Sequence, residues 1–117
     1  MTIHLYGIPN CDTMKKARNW LAAQGIEYIF HDYKKEGVDR TALESWADTV
    51  GWEVLLNRRG TTFRKLPDAD KADIDRGKAI TLMMANPGMI KRPVAILAGG
   101  KRVLVGFTPD QWAAAFG

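Results

Sequence analysis

An α/β fold built on a mixed four-stranded sheet is predicted by three features of this sequence: a strand–helix–strand opening, a hairpin and helix at the end, and a mainly helical stretch between them. Thr2 to Tyr6 alternate polar and apolar side chains, with Ile3 and Leu5 on one face, as a short strand does. Gly7 to Asn10 read as a loop. Asn10 is the expected N-cap of a helix in which Asp12 suits the first turn and Met14, Ala17, Leu21 and Ala22 form an apolar stripe that stops at Gly25. Ile26 to Asp32 set Ile, Tyr, Ile and Phe between polar ends, the pattern of a second strand. Strand, helix and strand of this length form a βαβ unit, whose two strands run parallel.

From Val38 to Ala85 the period changes. Leu43, Trp46, Ala47 and Val50 stand at helical spacing, with Asp39 or Thr41 as cap and Gly51 as stop. Val54 to Leu56 and Thr62 to Leu66 read as short helical pieces split by Gly60, and Ala79 to Ala85 as an apolar helix ended by Asn86-Pro87-Gly88. After Arg92-Pro93, Val94 to Leu97 and Val103 to Val105 make two strands joined by a tight Gly99-Gly100 turn. Thr108 caps a last helix with Pro109 at its first position, running through Trp112 and Phe116. A parallel βαβ unit, a helical insert at about 38–88 and an antiparallel hairpin with a closing helix make the layout of a thioredoxin-like fold. The expectation is a single domain over residues 1–117.

Composition narrows the function. Lys and Arg number 17 against 13 Asp and Glu, a net charge of +4 carried in dispersed pairs, which is no nucleic-acid signature but suits acidic small partners. Apolar runs are too short to span a bilayer, and the apolar opening is too short for a secretory leader, so no membrane association and a cytoplasmic location are expected. A monomer is also expected, although nothing in the sequence fixes the oligomeric state. His4 and His31 do not share a metal-ligand spacing with the one cysteine, so no metal site and no tightly bound cofactor are expected. Trp20, Trp46, Trp52 and Trp112 are expected to fill the core.

Cys11, the sole cysteine, is placed by this reading between the first strand and the first helix. Helix N-terminal N–H groups and the dipole favour an anion there, so the thiol is expected to ionise readily, although Asp12 works against that and an inert buried cysteine is the alternative. With no second cysteine, oxidation must end in a small-molecule thiol, a partner or a higher sulfur oxide. Asn10 and Thr13 flank the sulfur as donors to a thiolate or a bound carboxylate, and Lys15 follows one turn later as a cation for an acidic substrate. His4 has no place as a base for Cys11.

The segment Tyr6-Gly7-Ile8-Pro9-Asn10-Cys11-Asp12-Thr13-Met14-Lys15-Lys16-Ala17-Arg18, with Arg92-Pro93 and Val105-Gly106-Phe107, resembles the arsenate reductase (ArsC) and Spx-type family, most closely its YffB branch. The resemblance covers the full length. It implies a thioredoxin-like fold with an inserted helical subdomain, Cys11 as nucleophile, glutathione as co-substrate and a cis bond between Arg92 and Pro93 that turns the backbone beside Cys11. Arg92 matches the arginine that in arsenate reductases precedes this proline and binds the oxyanion, a task suited to a planar guanidinium. In Leu55-Leu56-Asn57-Arg58-Arg59, Asn57 falls where those enzymes have an arginine; Arg58, next to it, is the substitute and Arg59 is expected to be solvated.

Two departures bear on function. The arginine of the last strand has no counterpart in Arg102-Val103-Leu104-Val105-Gly106 unless Arg102 is displaced onto the role, and the Cys-x-x-Cys of Spx regulators here has Met14 as its fourth residue. The expected activity is therefore a glutathione-dependent thiol–disulfide reductase with one nucleophilic cysteine, acting on a small thiol or disulfide. The rivals are an Spx-like protein-binding regulator without catalysis, which would have a protein partner, and an arsenate reductase.

Overall fold

The period-two opening forms β1, His4–Gly7, with Leu5 and Gly7 facing the interior. It lies parallel to β2, Ile29–Asp32, with Leu5 opposite Phe30, and antiparallel to β3, Val94–Leu97, with Leu5 opposite Ala95. β3 continues into β4, Arg102–Val105, so the sheet has the order β2-β1-β3-β4 and the mixed, thioredoxin-like topology expected of the chain. The computed structural model describes residues 3–9 and 11–116. They fall into two compact units, one made of the chain through Asp32 and from Arg92 onward, the other of Tyr33–Lys91.

In the first unit, α1 spans Asp12–Ala23 and buries Met14, Ala17 and Leu21. These join Leu5, Ala95, Leu97, Leu104 and Trp112 in one apolar core. Ala22, expected on the same stripe, is instead exposed, because it sits one residue beyond Leu21 and turns away from the sheet. The N-cap is Cys11 rather than Asn10, which lies outside the described residues. Cys11 has the extended backbone of a cap (φ −124°, ψ 131°), and its carbonyl accepts the first helical bond, from Lys15 N at 2.9 Å.

β2 begins three residues later than its apolar pattern suggests, since Ile26 bonds back to the Leu21 carbonyl and packs with Tyr28 against the core instead of pairing. The link between β3 and β4 is longer than a two-residue turn: Ala98–Gly100 form a 3-10 turn, with Gly99 at φ 66° and Gly100 at φ 95°. α8, Pro109–Phe116, closes the unit, and Trp112 on it is fully buried. Trp20 is only half-buried and meets Trp112 edge-on, with ring centres 6.0 Å apart.

Gly7 is fixed by packing. A Cβ placed on it falls within 2.6 Å of Met14 Cε and nearer still to Sδ, and Met14 is wholly buried. Gly7→Ala is therefore expected to lower stability by about 1–3 kcal/mol through overpacking, read as a lower midpoint in urea with an unchanged slope.

The second unit is helical: α2 (Tyr33–Glu36), α3 (Arg40–Val50), α4 (Trp52–Leu55), α5 (Thr61–Arg64), α6 (Asp68–Lys71) and α7 (Arg76–Ala85), then a 3-10 turn at Pro87–Met89. Of the two caps proposed for α3, Asp39 serves, its carboxylate accepting from Ala42 N at 3.2 Å. Asp75 does the same for α7 through Lys78 N at 2.8 Å, which starts that helix before its apolar residues begin. α2 and α6 are single turns without an apolar period to announce them. Trp46 is buried as expected, whereas Trp52 is half-buried and carries the Arg58 guanidinium over its ring at 5.4 Å.

Candidate functional site

The sheet brings the Cys11 segment and the Arg-Pro step to one end. Tyr6, near the end of β1, pairs with Val94, the first residue of β3, so the loop leading to Cys11 and the Arg92-Pro93 step leave the same edge of adjacent strands. The Arg92–Pro93 bond is cis. Pro93 is buried and its carbonyl accepts from Gly106 N at 2.8 Å, while the Gly106 carbonyl accepts from the Trp112 indole at 3.0 Å. Gly106 makes this link in a left-handed conformation (φ 77°), which explains the glycine in Val105-Gly106-Phe107.

Cys11 is partly exposed and free. Burial pushes its thiol up, but the opposing influences win: the backbone N–H groups of Met14 and Thr13 and the charge and hydrogen bond of Arg92 bring it below its ordinary value. The sulfur thus occupies the place of an N-cap oxygen, facing the second and third N–H groups of α1, which favour its anion. Chemically this is a partly exposed thiol whose ionisation a neighbouring guanidinium favours, and its anion is suited to attack a soft electrophilic centre such as a disulfide sulfur.

Of the residues singled out in the sequence, Cys11, Thr13, Arg92 and Pro93 come together here. Thr13 contributes its backbone N–H. Met14 was not among them, because its contribution is also a backbone donor and its side chain reads only as core; its position three residues after the cap is the signal that marks it. Lys15 is exposed on the next turn of α1. Arg58 is exposed on the second unit, stacked on Trp52, and Asn57 accepts a bond from Arg59 N at 3.2 Å, holding the turn that leads to Gly60. Arg102 does not take the place of a third oxyanion arginine. It pairs with Leu97 at the opposite end of β3 and β4 from Val94 and Val105, three residues or about 10 Å along the strand. His4 bonds instead to His31, Nδ1 to Nε2 at 2.9 Å, on the β1–β2 surface. Among the described residues no three His, Cys, Asp or Glu side chains gather as metal ligands, and no helix is long and apolar enough to cross a membrane.

Similarity to known proteins follows the same segments. The chain is 58% identical to a solved YffB protein, over 98% of this chain and 99% of that one, with a TM-score of 0.94. It is 55% identical to an arsenate reductase (ArsC) related protein from Brucella melitensis, over 99% and 95% of the two chains, with a TM-score of 0.77. An uncharacterized protein of Haemophilus influenzae is 45% identical over 97% of this chain and 98% of its own length. The global transcriptional regulator Spx of Streptococcus pyogenes is 29% identical over 93% and 81%. The profile of the ArsC family matches residues 6–115, taking in Cys11, the helical middle and the cis Arg92–Pro93 step, and the chain belongs to that family.

Proposed function

We propose that this chain is a glutathione-dependent thiol–disulfide reductase of the cytoplasm, working as a monomer with Cys11 as its only nucleophile and no tightly bound cofactor. The observation that carries the reading is the thiolate-favouring setting of Cys11, under the Thr13 and Met14 N–H groups and beside Arg92. Cys11 thiolate attacks the glutathione sulfur of a mixed disulfide. A bond forms between the two sulfurs, the old S–S bond breaks, and the other thiol leaves as thiolate and takes a proton from water. A second glutathione thiolate then attacks the glutathione sulfur held on Cys11, releasing glutathione disulfide and restoring Cys11. The sum converts one mixed disulfide and one glutathione into a free thiol and glutathione disulfide, so a single cysteine suffices. Arg92 and the end of α1 hold Cys11 ionised as nucleophile in the first step and stabilise it as leaving group in the second.

The arginine set favours this over arsenate reduction, since Asn57 and the distant Arg102 leave Arg92 as the one guanidinium beside the thiol among the described residues of the first unit. The buried Met14 in place of a second cysteine disfavours an Spx-type disulfide switch. NADPH oxidation coupled through glutathione reductase tests the proposal. Turnover is expected with the mixed disulfide of glutathione and 2-mercaptoethanol, and none above background with arsenate. Turnover with arsenate alone, or with neither, overturns it.

A further inference from the structure

A groove of ≈ 420 Å³ runs along α1, lined by Lys15, Arg18, Asn19, Ala22 and Tyr28. Its central cation is held in place. Arg18 Nε donates to the Tyr28 hydroxyl at 3.0 Å, and the guanidinium carbon lies 4.8 Å from the centre of the Phe30 ring. Among the described residues the terminal nitrogens of Arg18 have no hydrogen-bond or ion-pair partner, and neither does Lys15 Nζ. A guanidinium braced through Nε and one face, with its planar outer edge open, is set for a bidentate carboxylate at little further cost in side-chain order.

The groove is also aligned with the thiol. Cys11, Lys15, Arg18 and Ala22 stand at i, i+4, i+7 and i+11, on one face of α1. Cys11 and Arg18 are seven positions apart, about 10 Å along the helix axis, a span that an extended peptide thiol of about three residues covers. Ala22, exposed, lines the same groove.

We propose that this groove seats a carboxylate of the disulfide substrate while its sulfur reacts at Cys11, so that the protein selects acidic peptide disulfides over neutral or cationic ones. The Arg18 fork takes the carboxylate, Lys15 adds charge between it and the thiol, and Tyr28 and Phe30 position Arg18. The inference rests on the disulfide chemistry proposed above and adds the substrate's charge and the residues that read it.

The test follows single-turnover formation of the Cys11 mixed disulfide by intact mass, with glutathione disulfide (acidic), bis(2-hydroxyethyl) disulfide (neutral) and cystamine (cationic). Arg18→Gln is expected to slow the reaction of glutathione disulfide about three- to tenfold and that of the neutral disulfide less than twofold, with Arg18→Lys intermediate. Because Arg18 also braces Tyr28 and Phe30, the exposed Lys15→Glu provides a second reading: it is expected to slow glutathione disulfide and speed cystamine. If glutathione disulfide reacts as in wild type in both Arg18→Gln and Lys15→Glu, or if all three disulfides slow equally, the groove assignment falls and the thiol chemistry stands. If none of the three labels wild-type Cys11, the reductase reading falls and the groove with it.

Discussion

Cys11→Ser is expected to reduce glutathione-linked turnover to the uncatalysed background, a loss of at least about a thousandfold. A serine hydroxyl in this place cannot ionise near neutral pH and is a poor nucleophile toward sulfur, so the bond that starts the cycle does not form. The fold should survive. Serine is among the preferred N-cap residues, and its oxygen can accept from the same Thr13 and Met14 N–H groups that face the sulfur. Loss of turnover with an unchanged or higher melting temperature therefore reports the nucleophile and not unfolding. Intact mass gives the complementary result: one glutathione adduct on the wild-type protein after exposure to glutathione disulfide, none on the variant. Turnover by Cys11→Ser within tenfold of wild type would remove Cys11 from the chemistry.

Arg92→Gln is expected to move the pH midpoint of Cys11 alkylation by iodoacetamide upward and to slow the reaction at pH 7 by about three- to tenfold. Arg92 contributes both charge and a hydrogen bond to the thiolate, and an uncharged reagent reports ionisation without steering. Above the new midpoint the limiting rate should match or exceed that of wild type, because a more basic thiolate is intrinsically more nucleophilic. An unmoved midpoint would show that the helix end alone sets the ionisation. The same coupling appears in stability. Folding lowers the Cys11 value, so between it and the unfolded value near ~8.5 the unfolded chain holds the extra proton and stability rises with pH. The contribution is complete above the unfolded value and is lost as pH falls through the folded one. The melting-temperature difference between wild type and Cys11→Ser should therefore change in favour of wild type as pH rises, and less so in the Arg92→Gln background.

The period-two run at β1, the stripe of Met14, Ala17 and Leu21, and the proline opening α8 each correspond to an element of the structure, because each is a local pattern backed by burial of the same residues. Where pattern and burial part, the reading slips. Ile26 and Tyr28 are apolar for packing and not for pairing, Ala22 is apolar and exposed, and α2 and α6 are too short to show a period. Cap chemistry misled at Asn10: side-chain preference favours asparagine, but backbone geometry puts the cap at Cys11.

Taken alone, the sequence determined that any chemistry at its one thiol has no second cysteine of these 117 residues to call on, that this thiol follows a short strand and precedes a helix, and that the charge balance is basic. Tertiary structure decided which groups reach that thiol. Eighty-one positions separate Cys11 from Arg92 in the chain, and only the pairing of β1 with β3 brings their segments to one sheet end. The same pairing carries Arg102 to the other end, and the packing of Arg18 on Tyr28 and Phe30 is equally non-local. The physical reason is one of range. Periodicity and capping act within a few residues and are written along the chain, whereas the electrostatics of a site depend on distances of a few ångströms between segments, which strand register sets.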